Sequence, residues 1–298
     1  MGVNYVESQD ADLQNTIKMK IKQLFIFLLM AAGSLSAAAQ HYTVGTFNLR
    51  NDNAHDVGNR WQQRGPVAAN LLRFHEFDVF GTQEGLPNQI ADLAKLLPEY
   101  NYYGLGRDDG KDGGEHSTIF YRKDKFRLLN KGDFWLSETP DVPGKGWDAT
   151  CCNRICSWVY LQEIKTGRKF YYFNAHFDHQ GKIARIESSK LIVKKIREIA
   201  KGVPAIFTGD LNGGQTSDWY LTLANSGLLT DSYKQVKSPY VNNSSFNGWG
   251  KDFNGYEIID HVFVTKAFTA ERWGILTDTY QGKFVSDHFP VLVDVVMK

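Results

Sequence analysis

Short apolar runs, rich in β-branched and aromatic residues and closed by a polar one, alternate along this chain with stretches of helical spacing. The clearest run is Val203-Pro-Ala-Ile-Phe-Thr-Gly-Asp-Leu-Asn212. Residues two apart in an extended segment leave the same face, so Asp210 and Asn212 emerge side by side. Such alternation predicts further strands over 42–49, 78–82, 102–105, 115–122, 126–129, 154–161, 170–175, 258–264, 270–276 and 291–296. Apolar positions at helical spacing predict helices over 60–74, 87–97, 182–199 and 217–225. Residues 104–114 form a Gly- and Asp-rich loop, 241–255 a polar one, and 134–153 a long surface excursion of the kind that often carries function. No repeat or low-complexity linker interrupts the pattern. Helices and strands alternate and then strands cluster in pairs, which fits an α/β chain with a mixed sheet and one domain over 40–298.

The first 39 residues stand outside that pattern. The basic patch Lys18-Met-Lys-Ile-Lys22 precedes the apolar run Leu24-Phe-Ile-Phe-Leu-Leu-Met-Ala-Ala32, and Ser36-Ala-Ala-Ala39 follows. A positive start, a short apolar centre and small residues at a cleavage site define a secretory signal, with cleavage expected after Ala39. Residues 1–39 are therefore read as an N-terminal extension plus signal, with Met19 as a candidate start. The mature protein is expected to be periplasmic or extracellular, without stable membrane insertion, and monomeric. A retained N-terminal anchor is the alternative.

Composition narrows the field further. Net charge is +1, against the strongly basic face usual in a dedicated polyanion binder. The three cysteines all lie in Cys151-Cys-Asn-Arg-Ile-Cys156. One pair could close in an oxidising compartment, but a disulfide framework is excluded and zinc spacing is absent.

The candidate chemistry sits at the strand ends. Asp210 and Asn212 suit activation of a water, although Gly-Asp-x-Asn also serves an Asx-turn. Asn48 follows an apolar strand, where a turn residue is the ordinary reading. Glu84 follows another, where it could cap the helix opened by Pro87. Asn174, His176 and Asp178 share one face of an extended segment. Asp287 and His288 precede the last strand. Asp260 lies inside an apolar strand and needs a partner, because an unpaired buried carboxylate is costly. Five strands delivering such residues at their ends match where α/β sheets place their sites. The oxygen-rich set Asn48, Glu84, Asp210, Asn212 and Asp287 suits Mg²⁺ or Mn²⁺, and His176 and His288 are left to meet negative charge. Metal-assisted attack of water on phosphorus uses such a set.

Seven pieces in order carry a resemblance: Thr46-Phe-Asn-Leu49, Gln83-Glu84, Glu115 before Ile119-Phe-Tyr-Arg122, Asn174-Ala-His176, Gly209-Asp-Leu-Asn212, Ile259-Asp260 and Ser286-Asp-His288. Together they resemble the endonuclease/exonuclease/phosphatase superfamily, the DNase I-like hydrolases. That resemblance implies a four-layer α/β sandwich, with two mixed sheets face to face and helices outside. It implies Glu84 as metal ligand with Asn48 and Asp287 close by. Asp210, helped by Asn212, would align the attacking water, and His176 and His288 would bind phosphate oxygens. Glu115 would orient His176, Asp260 would orient His288, and Arg154 would contact phosphate; Asn174 belongs to the same phosphate-binding motif. Trp135-Leu-Ser-Glu-Thr-Pro140 and Trp147-Asp148 resemble a secreted bacterial branch closer to the deadenylase-like exonucleases than to DNase I.

Two features depart from the abasic-site endonucleases of this superfamily: Asp178-His179 extends the Asn-x-His motif, and His261 replaces an aromatic residue. Basic DNA-gripping loops are not evident either, which argues against duplex DNA. The expectation is an exported phosphodiesterase or phosphomonoesterase acting on a nucleic acid, a sugar phosphate or a lipid headgroup. A pocket closed by residues 104–114 and 134–153 would favour the smaller substrates. The rival is a non-catalytic binding module presenting Trp135, Trp147 and Trp158 to a glycan or phosphorylated ligand.

Overall fold

A computed structural model describes residues 17–23, 40–251 and 257–298. The chain divides into two compact units, Met1–Ala39 and Gln40–Lys298. In the first, residues 17–23 form an exposed helical segment; the apolar run and cleavage site of the expected signal lie outside the described residues. Among the described residues no helix is long and apolar enough to cross a membrane.

In the second unit fourteen strands are numbered in chain order: β1 (Gln40–Asn48), β2 (Val79–Gln83), β3 (Tyr100–Tyr103), β4 (Ile119–Arg122), β5 (Phe126–Trp135), β6 (Ile155–Glu163), β7 (Lys169–His176), β8 (Ala205–Asp210), β9 (Thr230–Asp231), β10 (Asp260–Val264), β11 (Phe268–Ile275), β12 (Thr279–Tyr280), β13 (Lys283–Phe284) and β14 (Val291–Met297). The helices are α1 (Trp61–Phe74), α2 (Pro87–Leu96), α3 (Lys182–Ala200) and α4 (Asp218–Ala224). One six-stranded sheet runs β11-β14-β1-β2-β4-β3 and the other β5-β6-β7-β8-β10-β9, with β12 and β13 as a small ribbon. Each large sheet is mixed, with one central parallel pair: β1 with β2, and β7 with β8.

Three apolar clusters separate the layers. Tyr42, Val44, Val79, Val159, Tyr172, Ile206 and Val262 belong to the core between the sheets. Phe47, Phe80 and Phe120 pack with α1 and α2. Phe173, Phe207 and Phe263 pack with α3 and α4. Period-two alternation along buried strands thus sends one face to the partner sheet and the other to the helices. The architecture is the expected two-sheet sandwich.

Several boundaries differ from expectation. The strand expected over 115–122 begins only at Ile119, because 115–118 leaves the sheet to hold two loops: His116 N–H donates to Gly85 O at 2.9 Å, and Arg107 N–H to Glu115 O at 3.0 Å. β5 extends through Trp135 past a register shift between Leu128 and Asn130, so the excursion begins at Leu136. Trp135 and Trp158 therefore sit on strands. Trp135 is buried, with Nε1–H on Arg107 O at 2.7 Å, and Trp158 packs in tilted contacts with Tyr171 and Phe173. The expected aromatic surface is instead largely packing.

Candidate active site

Along the inward face of each central strand the residues turn polar toward one end. β1 presents Tyr42, Val44, Thr46 and Asn48; β7 presents Phe170, Tyr172, Asn174 and His176; β8 presents Ile206, Thr208 and Asp210. Register places His176 opposite Asp210, and Asp210 opposite Asp260, in one row across the second sheet. The other sheet comes close here because Gly81 lacks a side chain: a Cβ there would stand 2.3 Å from Asn174 Oδ1. The strands then end in turns. Arg50 (φ 54°), Glu84 (φ 61°) and Asn212 (φ 48°) follow β1, β2 and β8 in the left-handed region, uncommon for non-glycine residues and a frequent mark of functional sites. Arg50 is held there by Arg64 and Gln89, which donate to its carbonyl at 2.6 and 2.9 Å.

These ends line a pocket of ≈ 420 Å³ that includes Glu84, Glu115, Arg154, His176, Asp210, Asn212, Asp287 and His288. Asn48 underlies it, its Nδ2 donating to Glu84 Oε1 at 3.1 Å and to Asp210 Oδ2 at 3.0 Å. The Asx-turn reading of Gly-Asp-x-Asn is realised. The Asn212 amide N–H closes an Asx-turn on Asp210 Oδ1 at 2.9 Å, and both side chains face the pocket.

The two histidines differ. Burial alone would lower His288, but Asp260 and then Asp210 overcome it and push its pKa up to about 10. Its Nδ1 sits 2.9 Å from Asp260 Oδ2 and its Nε2 3.7 Å from Asp210 Oδ2. His288 is thus an imidazolium with a carboxylate behind it, and it supplies the partner that buried Asp260 requires. Burial, then Arg154 and Arg107, hold His176 well below the usual histidine range. Asn212 Nδ2 donates to Phe177 O at 3.0 Å, which fixes the amide's orientation, and its other hydrogen meets His176 Nε2 at 3.1 Å. His176 is therefore neutral with its proton on Nδ1. Asp210 is pushed up to about 7 by burial and by Asp260, against the opposing pull of His288, near the value suited to a general base at neutral pH.

Two expected residues sit differently. Asn174 does not reach the pocket. It is fully buried between the sheets, where Oδ1 accepts from Gln83 at 2.7 Å and Thr208 at 3.1 Å while Nδ2 donates to Thr82 O at 2.8 Å. Its hydrogen-bonding capacity is spent, so a phosphate contact is excluded. Glu115 stands 4.0 Å from His176 Nδ1, beyond hydrogen-bond reach, and its carboxylate is instead paired with Arg107 Nη1 at 2.5 Å. Arg154 is buried with Nη2 2.9 Å from His179 Nδ1, while Nη1 has no partner.

Arg50, Asn51, Arg107, Cys151, Cys152 and Phe246, which no motif singles out as site residues, also line the pocket. Arg107 comes from an otherwise unremarkable Gly/Asp loop. The cysteine pair was visible only as a possible bridge; Cys151 and Cys152 are disulfide-bonded and Cys156 is free and buried.

Two carboxylates, Glu84 and Asp287, face the pocket on one side. Burial raises Asp287, and Glu84 adds to that, although His288 and Arg50 oppose it. Ligand atoms of Asp210, Asp260 and His288 also lie within 4.8 Å of one another, close enough to share an ion.

A family model described as "Endonuclease/Exonuclease/phosphatase family" matches residues 45–288. Among solved structures, an endonuclease/exonuclease/phosphatase family protein from Bacteroides thetaiotaomicron is 48% identical, with a TM-score of 0.85 over 87% of this chain and 99% of that one. A mannosyl-6-phosphatase of the same organism is also 48% identical, with a TM-score of 0.83 over 86% of this chain and 100% of that one. An uncharacterised protein of Acanthamoeba polyphaga mimivirus is 26% identical over 222 residues, or 64% of this chain and 32% of that protein. The chain thus spans about a third of that viral relative's length.

Proposed function

The chain belongs to the endonuclease/exonuclease/phosphatase family, whose members act on phosphoester bonds, and on that premise we propose that it is an exported, divalent-metal-dependent phosphomonoesterase acting on sugar phosphates. The observation that carries the substrate class is the small size of the site. Arg107 from one loop, and Cys151 and Cys152 from the end of the excursion, stand around the carboxylates and histidines and leave ≈ 420 Å³. Such a volume suits a small ligand. The mannosyl-6-phosphatase at 48% identity supports the same reading. Export is supported by the N-terminal sequence and by the Cys151–Cys152 bond, which persists best in oxidising compartments.

Of the two candidate cation positions, Glu84 with Asp287 and Asn48 is the better fit. Asp260 and Asp210 hold His288 as an imidazolium, which leaves it no lone pair to offer. Half-buried Glu84 and buried Asp287, by contrast, bring carboxylate oxygens to the pocket, with Arg50 3.7 Å from Asp287 offsetting only part of their charge. When bound there, Mg²⁺ or Mn²⁺ supplies positive charge to a phosphate oxygen. Asp210 takes a proton from the attacking water, and the Asn212 and Asn48 amides hold the geometry around it. The His288 imidazolium and the Arg154 guanidinium stabilise charge on the phosphate as it develops. His176, neutral, is held beside Asp210 by the Asn212 amide.

The test compares mannose 6-phosphate with bis-p-nitrophenyl phosphate. Metal-dependent release of phosphate from the monoester, with little cleavage of the diester, is expected. Cleavage of the diester alone would replace this reading with a phosphodiesterase.

A further inference from the structure

Of the residues lining the pocket, Phe246, Ile259 and the disulfide-bonded pair Cys151–Cys152 offer apolar surface. Phe246 is engaged edge-on with His288, ring centroids 5.0 Å apart. The disulfide is committed to nothing comparable. It has no hydrogen-bond donor, its sulfurs are polarizable, and it joins neighbouring residues with Cα atoms 3.7 Å apart. Cys151 is exposed and Cys152 half-buried, although both sit on the wall of the polar pocket.

The chain around the pair is anchored. Asp148 accepts from the N–H groups of Ile183 and Ala184 in the first turn of α3 at 3.0 and 2.6 Å. Thr150 Oγ1 hydrogen-bonds Gln180, and Lys145 donates to Thr150 O at 2.8 Å. Asn153 Nδ2 donates to Arg107 O at 3.3 Å, and Leu136 N–H to Arg154 O at 2.8 Å. A segment tied at so many points presents a fixed surface. Two residues on, Arg154 is buried; Asp178 Oδ2 lies 3.7 Å from its Nε, but neither Nε nor Nη1 makes a hydrogen bond, and Nη1 is left for an anionic ligand. Two residues of chain span at most about 7 Å. Arg154 and the disulfide line the same pocket, so the remainder of a ligand whose anion is held by Arg154 has the disulfide within its reach.

We propose that the Cys151–Cys152 disulfide is a specificity-determining platform for the non-phosphate part of the substrate, taking the apolar C–H face of a pyranose ring. Arg107 and His179, on the same wall, meet the ring's hydroxyls. This inference rests on the sugar-phosphate reading above and adds the element that recognises the sugar.

The test uses the full chain and a Cys151→Ser/Cys152→Ser variant, and it compares mannose 6-phosphate with glycerol 3-phosphate. Loss of the platform is expected to raise KM for mannose 6-phosphate by about tenfold, the factor carried by one good apolar contact. The values for glycerol 3-phosphate should stay unchanged, as should the thermal midpoint. Equal losses on both substrates, or none on either, would overturn the proposal. A second measurement avoids both misfolding and turnover: calorimetric binding to the Asp210→Asn chain before and after reduction by tris(2-carboxyethyl)phosphine. Reduction is expected to weaken mannose 6-phosphate while leaving inorganic phosphate unaffected. If both weaken together, or neither does, the disulfide is not a sugar platform. If the wild-type enzyme turns over no phosphomonoester, the functional reading falls, and the binding experiment still decides the role of the disulfide.

Discussion

His288 carries its charge because two carboxylates outweigh the cost of its burial, and Asp260 is the nearer of the two at 2.9 Å. Asp260→Asn keeps the shape but removes that charge. We expect kcat to fall by about 10²-fold or more, the scale of losing an electrostatic stabiliser at a phosphoryl centre, with KM for mannose 6-phosphate nearly unchanged. Steady-state kinetics would check this, and a change confined to KM would contradict it. Asn174 leads to the opposite expectation. Its amide joins β2, Thr118 just ahead of β4, and β8. Asn174→Ala should cost about 1–3 kcal/mol of stability by leaving buried polar groups unpaired, measured by urea unfolding, while the folded fraction keeps its KM. In sequence, Asn174 and His176 could not be told apart, because both lie on the inward face of one strand. Depth along that strand decides their fates, and a single sequence does not say where a strand leaves the core.

Elements were legible where periodicity was strong. The four helices and the central strands emerge from apolar spacing because each buries one or two complete faces. The misjudged boundaries are those where local pattern yields to a tertiary demand. Residues 115–118 look like strand but are drawn off to hold loops at Gly85 and Arg107. Phe134 and Trp135 looked like loop because the register shift after Leu128 breaks the alternation. The left-handed turns at Arg50 and Glu84 had no sequence mark at all, since neither is a residue that prefers that region. Gly81 shows how closely the elements must meet. A methyl there would be 2.3 Å from Asn174 Oδ1 and 2.7 Å from Thr208 Oγ1. Gly81→Ala should therefore destabilise the fold by about 1–3 kcal/mol and also lower activity, because the two halves of the site belong to different sheets. Unfolding and kinetics on the same preparation would check this; loss of neither would mean that the sheets can separate without cost.

At the scale of the whole molecule, two sheets each carry one central parallel pair, and both pairs end at the same place. The carboxylates, amides and histidines collect there because Asn48, His176 and Asp210 end β1, β7 and β8, Glu84 follows β2, and Asp260, Asp287 and His288 stand at or before the starts of the antiparallel β10 and β14. The strand-end set was therefore readable as a class of chemistry. Its substrate wall was not. Arg107 and the Cys151–Cys152 pair come from loops whose placement depends on contacts far away in sequence. The most direct measurement is release of inorganic phosphate from mannose 6-phosphate by the purified protein, before and after EDTA and on return of Mg²⁺ or Mn²⁺, with Asp210→Asn alongside. We expect turnover that EDTA abolishes and either cation restores, and a loss of several powers of ten in the variant. Turnover that survives EDTA, or an Asp210→Asn chain as active as the wild type, would contradict a metal-dependent phosphoesterase built on these strand ends.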